Sequence, residues 1–197
     1  MESFDMVSVI VFIVVSAEPA FVPDEVVDGI AIEKREVAGS PFPELRLVTT
    51  TSRASLEALC VEAYGTGRFD PTEPDLKSRT LLEEDAGVRR MWEQIAPAVV
   101  SPRDYVLHQT IERGPGTCAM RYQAIPDPRA PVQSGVVRMT KLRGSWLFEA
   151  VEAGKVRITY TIFSDPAGSV PAFLVRGPQR AMALVWLKRV IDRAAGK

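Results

Sequence analysis

Residues 104–125 read DYVLHQTIERGPGTCAMRYQAI. Two runs of alternating apolar and polar side chains flank Gly114-Pro115-Gly116, the pattern of an antiparallel hairpin with one buried face. Period-two alternation puts Tyr105, Leu107, Gln109 and Ile111 on one face and Val106, His108 and Thr110 on the other. Across the turn, Cys118, Met120, Tyr122 and Ala124 continue the apolar face. His108 therefore reads as outward and non-catalytic.

The same pattern extends in both directions. Upstream, 77–83 and 87–95 read as strands, as do 30–37 and 45–50 nearer the amino terminus. In 87–95 the alternation leaves the facing open, with Val88, Arg90, Trp92 and Gln94 set against Arg89, Met91, Glu93 and Ile95. Downstream, 135–143 and 146–151 are followed by a hairpin turn at 152–155 and by VRITYTIF at 156–163, with Val156, Ile158, Tyr160 and Ile162 on one face. Short strands joined mostly by tight turns make one curved antiparallel sheet. Two helices interrupt it. Ser52 is the expected cap of the first, where Leu56, Leu59, Cys60 and Ala63 recur at helical spacing. Ser169 is the expected cap of the second, with Pro171 in its first turn and a stripe of Leu184, Leu187, Val190, Ile191 and Ala194. Gly177-Pro178 should kink that helix. The class is α+β, with the long carboxy-terminal helix lying across the concave face of the sheet.

Composition narrows the function. In 197 residues, 24 Lys plus Arg balance 25 Asp plus Glu, which removes any broad electrostatic reason to bind nucleic acid. One histidine and two cysteines exclude a His-rich metal cluster, a four-cysteine zinc site and a disulfide scaffold. Neither metal nor cofactor is expected. Cys60 on a helix and Cys118 on an inward strand face read as two separate buried thiols. Residues 7–17, VSVIVFIVVSA, are too short to span a bilayer as a helix and match a signal-peptide core, although Glu2 and Asp5 replace the usual positive flank. That reading places the protein in the periplasm or outside the cell; the other reading is a buried strand or helix in a cytoplasmic protein. Pro19 and Pro23 then mark residues 1–25 as an appendage to a domain at 26–197.

The inward faces are apolar yet carry polar tips at Tyr105, Gln109, Tyr122 and Tyr160. A polar group facing a dry core costs about 1–3 kcal/mol without a partner, and a lined cavity holding an amphiphile would supply one. Bonds from each tip to local backbone are the alternative.

Residues 135–175, GVVRMTKLRGSWLFEAVEAGKVRITYTIFSDPAGSVPAFLV, resemble the carboxy-terminal half of START (StAR-related lipid transfer) domains. The matching positions are Gly135, Val137, Arg138, Gly144, Trp146, Ile158-Thr159-Tyr160 and Asp165 to Pro171. Ser101-Pro102-Arg103-Asp104-Tyr105, Asp28-Gly29-Ile30 and Gly39-Ser40-Pro41 add upstream matches, so the resemblance spans roughly 28–195. Ala167 departs from the family's glycine pair, and Phe69-Asp70-Pro71 stands where Trp-x-Pro is frequent. The resemblance implies a helix-grip fold around a lipid-sized hydrophobic cavity, closed by the carboxy-terminal helix and by the proline-rich loop 125–134. It implies a monomeric lipid carrier or sensor in transient contact with membranes. From the sheet, the candidate lining is Trp92, Tyr105, Leu107, Gln109, Met120 and Tyr122. Trp146, Phe148, Ile158 and Tyr160 extend it, and Phe173 and Leu184 join from the helix. A charged or polar residue inside such a cavity meets the lipid head; Gln109 holds that position, with Arg90 or Trp92 opposite. The neutral amide favours hydroxyl, carbonyl or ester groups. Arg103-Asp104 reads as a structural ion pair or a turn-fixing aspartate. Two other readings remain: a polyketide aromatase/cyclase-like enzyme using Tyr105, Tyr122, Tyr160 and Arg90, and an interaction module with a filled core.

Overall fold

The computed structural model describes residues 18–65, 67–98, 100–152, 154–168 and 170–197; the apolar run at 7–17 and the expected cap Ser169 lie outside them. Among the described residues the strands are β1 (Val22–Val27), β2 (Ile30–Arg35), β3 (Glu44–Thr51), β4 (Leu76–Asp85), β5 (Val88–Ile95), β6 (Arg103–Gly114), β7 (Thr117–Ile125), β8 (Val137–Arg138), β9 (Lys141–Glu152) and β10 (Lys155–Asp165). They form one open sheet in the order β1-β2-β3-β10-β9-β7-β6-β5-β4, antiparallel throughout except where β8 pairs with β6 in parallel. Helices α1 (Leu56–Tyr64) and α2 (Ala172–Ala194) pack against one face.

Register makes that face apolar. Ile111, Met120, Trp146, Tyr160, Leu47 and Ile32 are successive cross-strand partners from β6 to β2. Ala183, Leu187, Val190 and Ile191 of α2 press onto this row together with Leu59 and Cys60 of α1. The core therefore sits under the carboxy-terminal half of α2, as the helical stripe requires.

Several expectations change. Residues 18–25 are not an appendage: Glu18 pairs with Arg35 and Arg143, Phe21 lies under the Arg35 and Arg46 guanidinium groups, and β1 begins at Val22. Pro23 is tolerated because β1 is an edge strand and its register shifts there. The cap of α1 is Ser55, whose Oγ accepts from Ala58 N at 3.1 Å, in place of Ser52. The segment expected at 135–143 divides: Val137–Arg138 is the short strand β8, while 141–143 joins the expected 146–151 in one long strand, β9, because Gly144 does not end it. Cys60 and Cys118 are disulfide-bonded, correcting the expectation of separate thiols; their Cα atoms stand 6.1 Å apart because α1 lies directly on β7.

The loop after β7 also departs from its expected role. Arg129 reaches the Leu82 carbonyl and Glu83 on edge strand β4, and Arg138 binds Asp104 on the outer face. The loop is thereby strapped to the face of the sheet opposite the helices and cannot cover a site beneath α2.

Candidate ligand-binding cavity

A cavity of about 210 Å³ opens between the sheet and the amino-terminal half of α2. Leu45, Tyr105, Leu142 and Ile162 form its floor, and Val175, Pro178, Met182 and Trp186 form its roof. Pro43, Pro97, Val100 and Pro166, from the turns at that end of the sheet, frame the sides. The position follows from α2: its buried positions Ala183, Leu187, Val190 and Ile191 hold its carboxy-terminal half down, whereas Pro178 lies inside its amino-terminal half. Proline lacks the N–H that would bond the carbonyl of Leu174 and crowds that turn, so the helix there cannot close on the sheet as a regular helix does.

The polar groups in the wall are few. Gln179 donates its amide to the Ser164 carbonyl. Arg103, 3% exposed, donates Nε to the Pro166 carbonyl at 3.3 Å and Nη1 to the Ser101 carbonyl. Tyr105 backs onto a buried ionic network. Glu93, its partner on β5, is bound by Arg79 at 2.6 Å, and Arg79 also forks onto Glu73. Burial pushes the Glu93 carboxyl above its ordinary range against the pull of Arg79. Burial, with the Glu93 charge beside it, raises the Tyr105 phenol well above its usual value. Burial takes Tyr160 up to about 12 against the pull of its hydrogen bond with Tyr122. Burial, with Tyr160 beside it, raises Tyr122 well above its usual value, so all three phenols stay protonated at neutral pH.

Of the residues singled out from sequence, Tyr105 lines this cavity. Leu107 packs beside Tyr105 with Met139 and Leu142. Met120, Trp146, Phe148, Ile158 and Tyr160 belong to the central core, where Trp146 stacks on Tyr160 with ring centroids 3.9 Å apart. Tyr122 touches both clusters, its hydroxyl 3.4 Å from that of Tyr160, and Leu184 packs on the core from α2. Gln109 is buried two residues further in than Leu107, its side-chain carbonyl without a hydrogen-bond partner. Trp92 faces the other way: it pairs with Val106 and donates its indole N–H to Asp104 at 2.9 Å on the outer face. Arg90 lies on that face too, paired with Glu83, so neither stands opposite Gln109; Arg89 does. Phe173 is 77% exposed, on the side of α2 turned from the sheet. The Arg103-Asp104 ion pair does not form, because adjacent strand residues point to opposite faces. Asp104 instead binds Arg138 in a two-bond fork, both bonds 2.7 Å.

Sequence reasoning missed Arg103 and Glu93 as inward groups. Parity with Tyr105 was the available signal for Arg103, and parity with Met91 the signal for Glu93.

A START domain family model matches residues 88–189, from β5 into α2. An uncharacterized protein of Pseudomonas aeruginosa is 27% identical over 150 residues, 75% of this chain and 73% of its own. The crystal structure of a STAR-related lipid transfer protein from Xanthomonas axonopodis superposes with a TM-score of 0.75 at 27% identity, covering 88% of this chain and 98% of that one. Human StAR-related lipid transfer protein 5 shares the fold at a TM-score of 0.74 and 16% identity, over 89% of this chain and 86% of that one. The open antiparallel sheet, the helix lying on it and the cavity beneath that helix are accounted for together: the chain belongs to the START domain family.

Proposed function

We propose that the protein binds a lipid or other hydrophobic small molecule between the sheet and α2 and carries it, without chemical conversion. The observation that carries this reading is the apolar cavity roofed by the proline-interrupted half of α2. Apolar area withdrawn from water there contributes about 25 cal/mol per Å², and a carrier needs only that and a gate. A cyclase would need positioned, unoccupied acid–base groups. Glu93, the buried carboxylate behind Tyr105, is already engaged by Arg79, Asp75 is exposed at the cavity rim, and the tyrosines are held protonated. Exposed Phe173 and Leu174 flank cavity residue Val175, which supports delivery by transient contact with a membrane. The Cys60–Cys118 bridge supports export to an oxidising compartment, since such bonds are rare in the cytosol. Native mass spectrometry of the protein taken from its own cells, paired with extraction from mixed liposomes, tests the reading. One bound hydrophobic molecule per chain is expected; a ligand-free protein that depletes no lipid class would sink it.

A further inference from the structure

Among the described residues, Arg103 is a buried cation with no counter-ion. Its inward parity with Tyr105 carries the side chain beneath the sheet to the cavity wall, where it is 3% exposed. Among the described residues no carboxylate lies within ion-pair distance of its guanidinium. Its hydrogen bonds go to two neutral carbonyls, those of Pro166 and Ser101. The other arginines facing inward are compensated: Arg89 by Glu84, and Arg79 by Glu73 and Glu93. Asp75, the one carboxylate in the cavity wall, is exposed at its rim and makes no ion pair with Arg103. A guanidinium carries five N–H donors, of which one on Nε and one on Nη1 are used here, which leaves one on Nη1 and both on Nη2 for a ligand. Burying a charge without its opposite is costly, and desolvation strengthens any pair it then forms.

We propose that the ligand carries a carboxylate, which pairs with Arg103 at the Pro166 end of the cavity while its hydrocarbon part lies under Pro178, Met182 and Trp186. The planar fork of arginine matches a carboxylate with two parallel bonds, which a hydroxyl or an ester does not reproduce. Size points the same way: about 210 Å³ lies below the ~300–1,000 Å³ of ordinary small-molecule pockets, so the partner is a compact or single-chain acid and not a two-chain phospholipid. This replaces the neutral head group inferred from Gln109, and it rests on the carrier reading.

The test uses the full chain and three probes of equal chain length, decanoic acid, methyl decanoate and decan-1-ol, titrated at pH 7.5 by calorimetry and by tryptophan fluorescence. The wild type is expected to bind the acid at least about tenfold more tightly than the ester or alcohol. Arg103→Gln should bring that ratio close to one, and Arg103→Lys should keep part of it. If Arg103→Gln does not fold, the wild-type preference decides alone. Equal or stronger binding of the ester overturns the carboxylate assignment and leaves the carrier reading standing. So does a protein that ignores all three probes yet extracts a neutral lipid or a phospholipid from liposomes. Failure to bind any probe or extract any lipid removes both.

Discussion

An ideal Cβ built at Gly144 would stand 2.3 Å from the Tyr122 hydroxyl oxygen and 2.5 Å from the Thr161 carbonyl. The glycine is there because the Tyr122 ring crosses its β9 partner to reach Tyr160. Gly144→Ala should therefore destabilise by about 1–3 kcal/mol, the cost of overpacking, because one of the two obstacles is backbone and cannot swing aside. A lowered urea midpoint with an unchanged denaturant slope checks it. Gln109 presents the reverse case. Its buried carbonyl is without a partner, so Gln109→Leu should leave stability level or raise it by about 1 kcal/mol. Thermal unfolding decides. Both side-chain facings were legible, since strict alternation over 104–113 admits one assignment. What alternation cannot tell is whether an inward side chain fills the core or lines a space. Trp146 and Tyr160 have the same pattern as Tyr105, and they stack on each other beneath the half of α2 that is held down.

At the scale of elements, the helix that roofs the cavity is two helices in function. Its carboxy-terminal half is seated on the core and is tied by Arg189 and Arg193 to Asp70, in the loop after α1. Its amino-terminal half has Gly177 and Pro178 within it and is held by Val175, buried against Phe42 and Phe163, and by Gln179 on the Ser164 carbonyl. Replacing both by alanine restores the missing hydrogen bond and reduces backbone freedom. The double variant should fold as well as the wild type and exchange ligand several-fold more slowly, read by stopped-flow displacement of a fluorescent lipid. An unchanged rate would move the gate to the turns at 40–43 and 96–98. The loop 125–134 cannot serve, being strapped to the far face through Arg129 and Arg138. Gly177-Pro178 marked the hinge in the sequence because proline acts locally. The loop misled because its three prolines specify where a strand ladder stops and say nothing about which face the chain then crosses. The lining of the cavity was illegible: Pro43, Pro97, Val100 and Pro166 meet there, and no periodicity links segments so far apart in sequence.

The molecule as a whole is held together by long-range ties whose strength depends on pH and on redox state. Burial alone would raise the Asp104 carboxyl, but Arg138 and Trp92 overcome it and hold it below its ordinary value. Arg129 lowers Asp127 to about 2, Lys34 lowers Asp24, and Thr72 with Arg193 lowers Asp70. A carboxyl whose folded value lies below its unfolded one contributes stability that is fully present above the unfolded value and is lost as pH falls through the folded one. The stability these carboxylates contribute should thus be lost between the ordinary value of 3.8 and about 2, with a shallower fall in Asp104→Asn, while Glu93, raised by burial, acts in the opposite sense above its own ordinary value. Urea titrations across that range check the sign. The disulfide acts on the other side of the equilibrium. It joins residues 58 apart, linking α1 to β7 across the intervening β4, β5 and β6, and so restricts the unfolded chain over the segment that builds half the sheet. Loop-closure entropy for that separation is worth about 4 kcal/mol in the chain-entropy model, and measured bridges contribute about 2–4 kcal/mol. Replacing both cysteines by alanine should lower stability by that amount, while the wild type in a reducing agent should unfold at the same urea concentration as the double variant. Both sulfurs are buried, so reduction should be slow in buffer and rapid near the unfolding midpoint. A double variant as stable as the oxidised wild type would mean that packing of α1 on β7 and β9 fixes the helix unaided, and the bond would then carry no share of the stability.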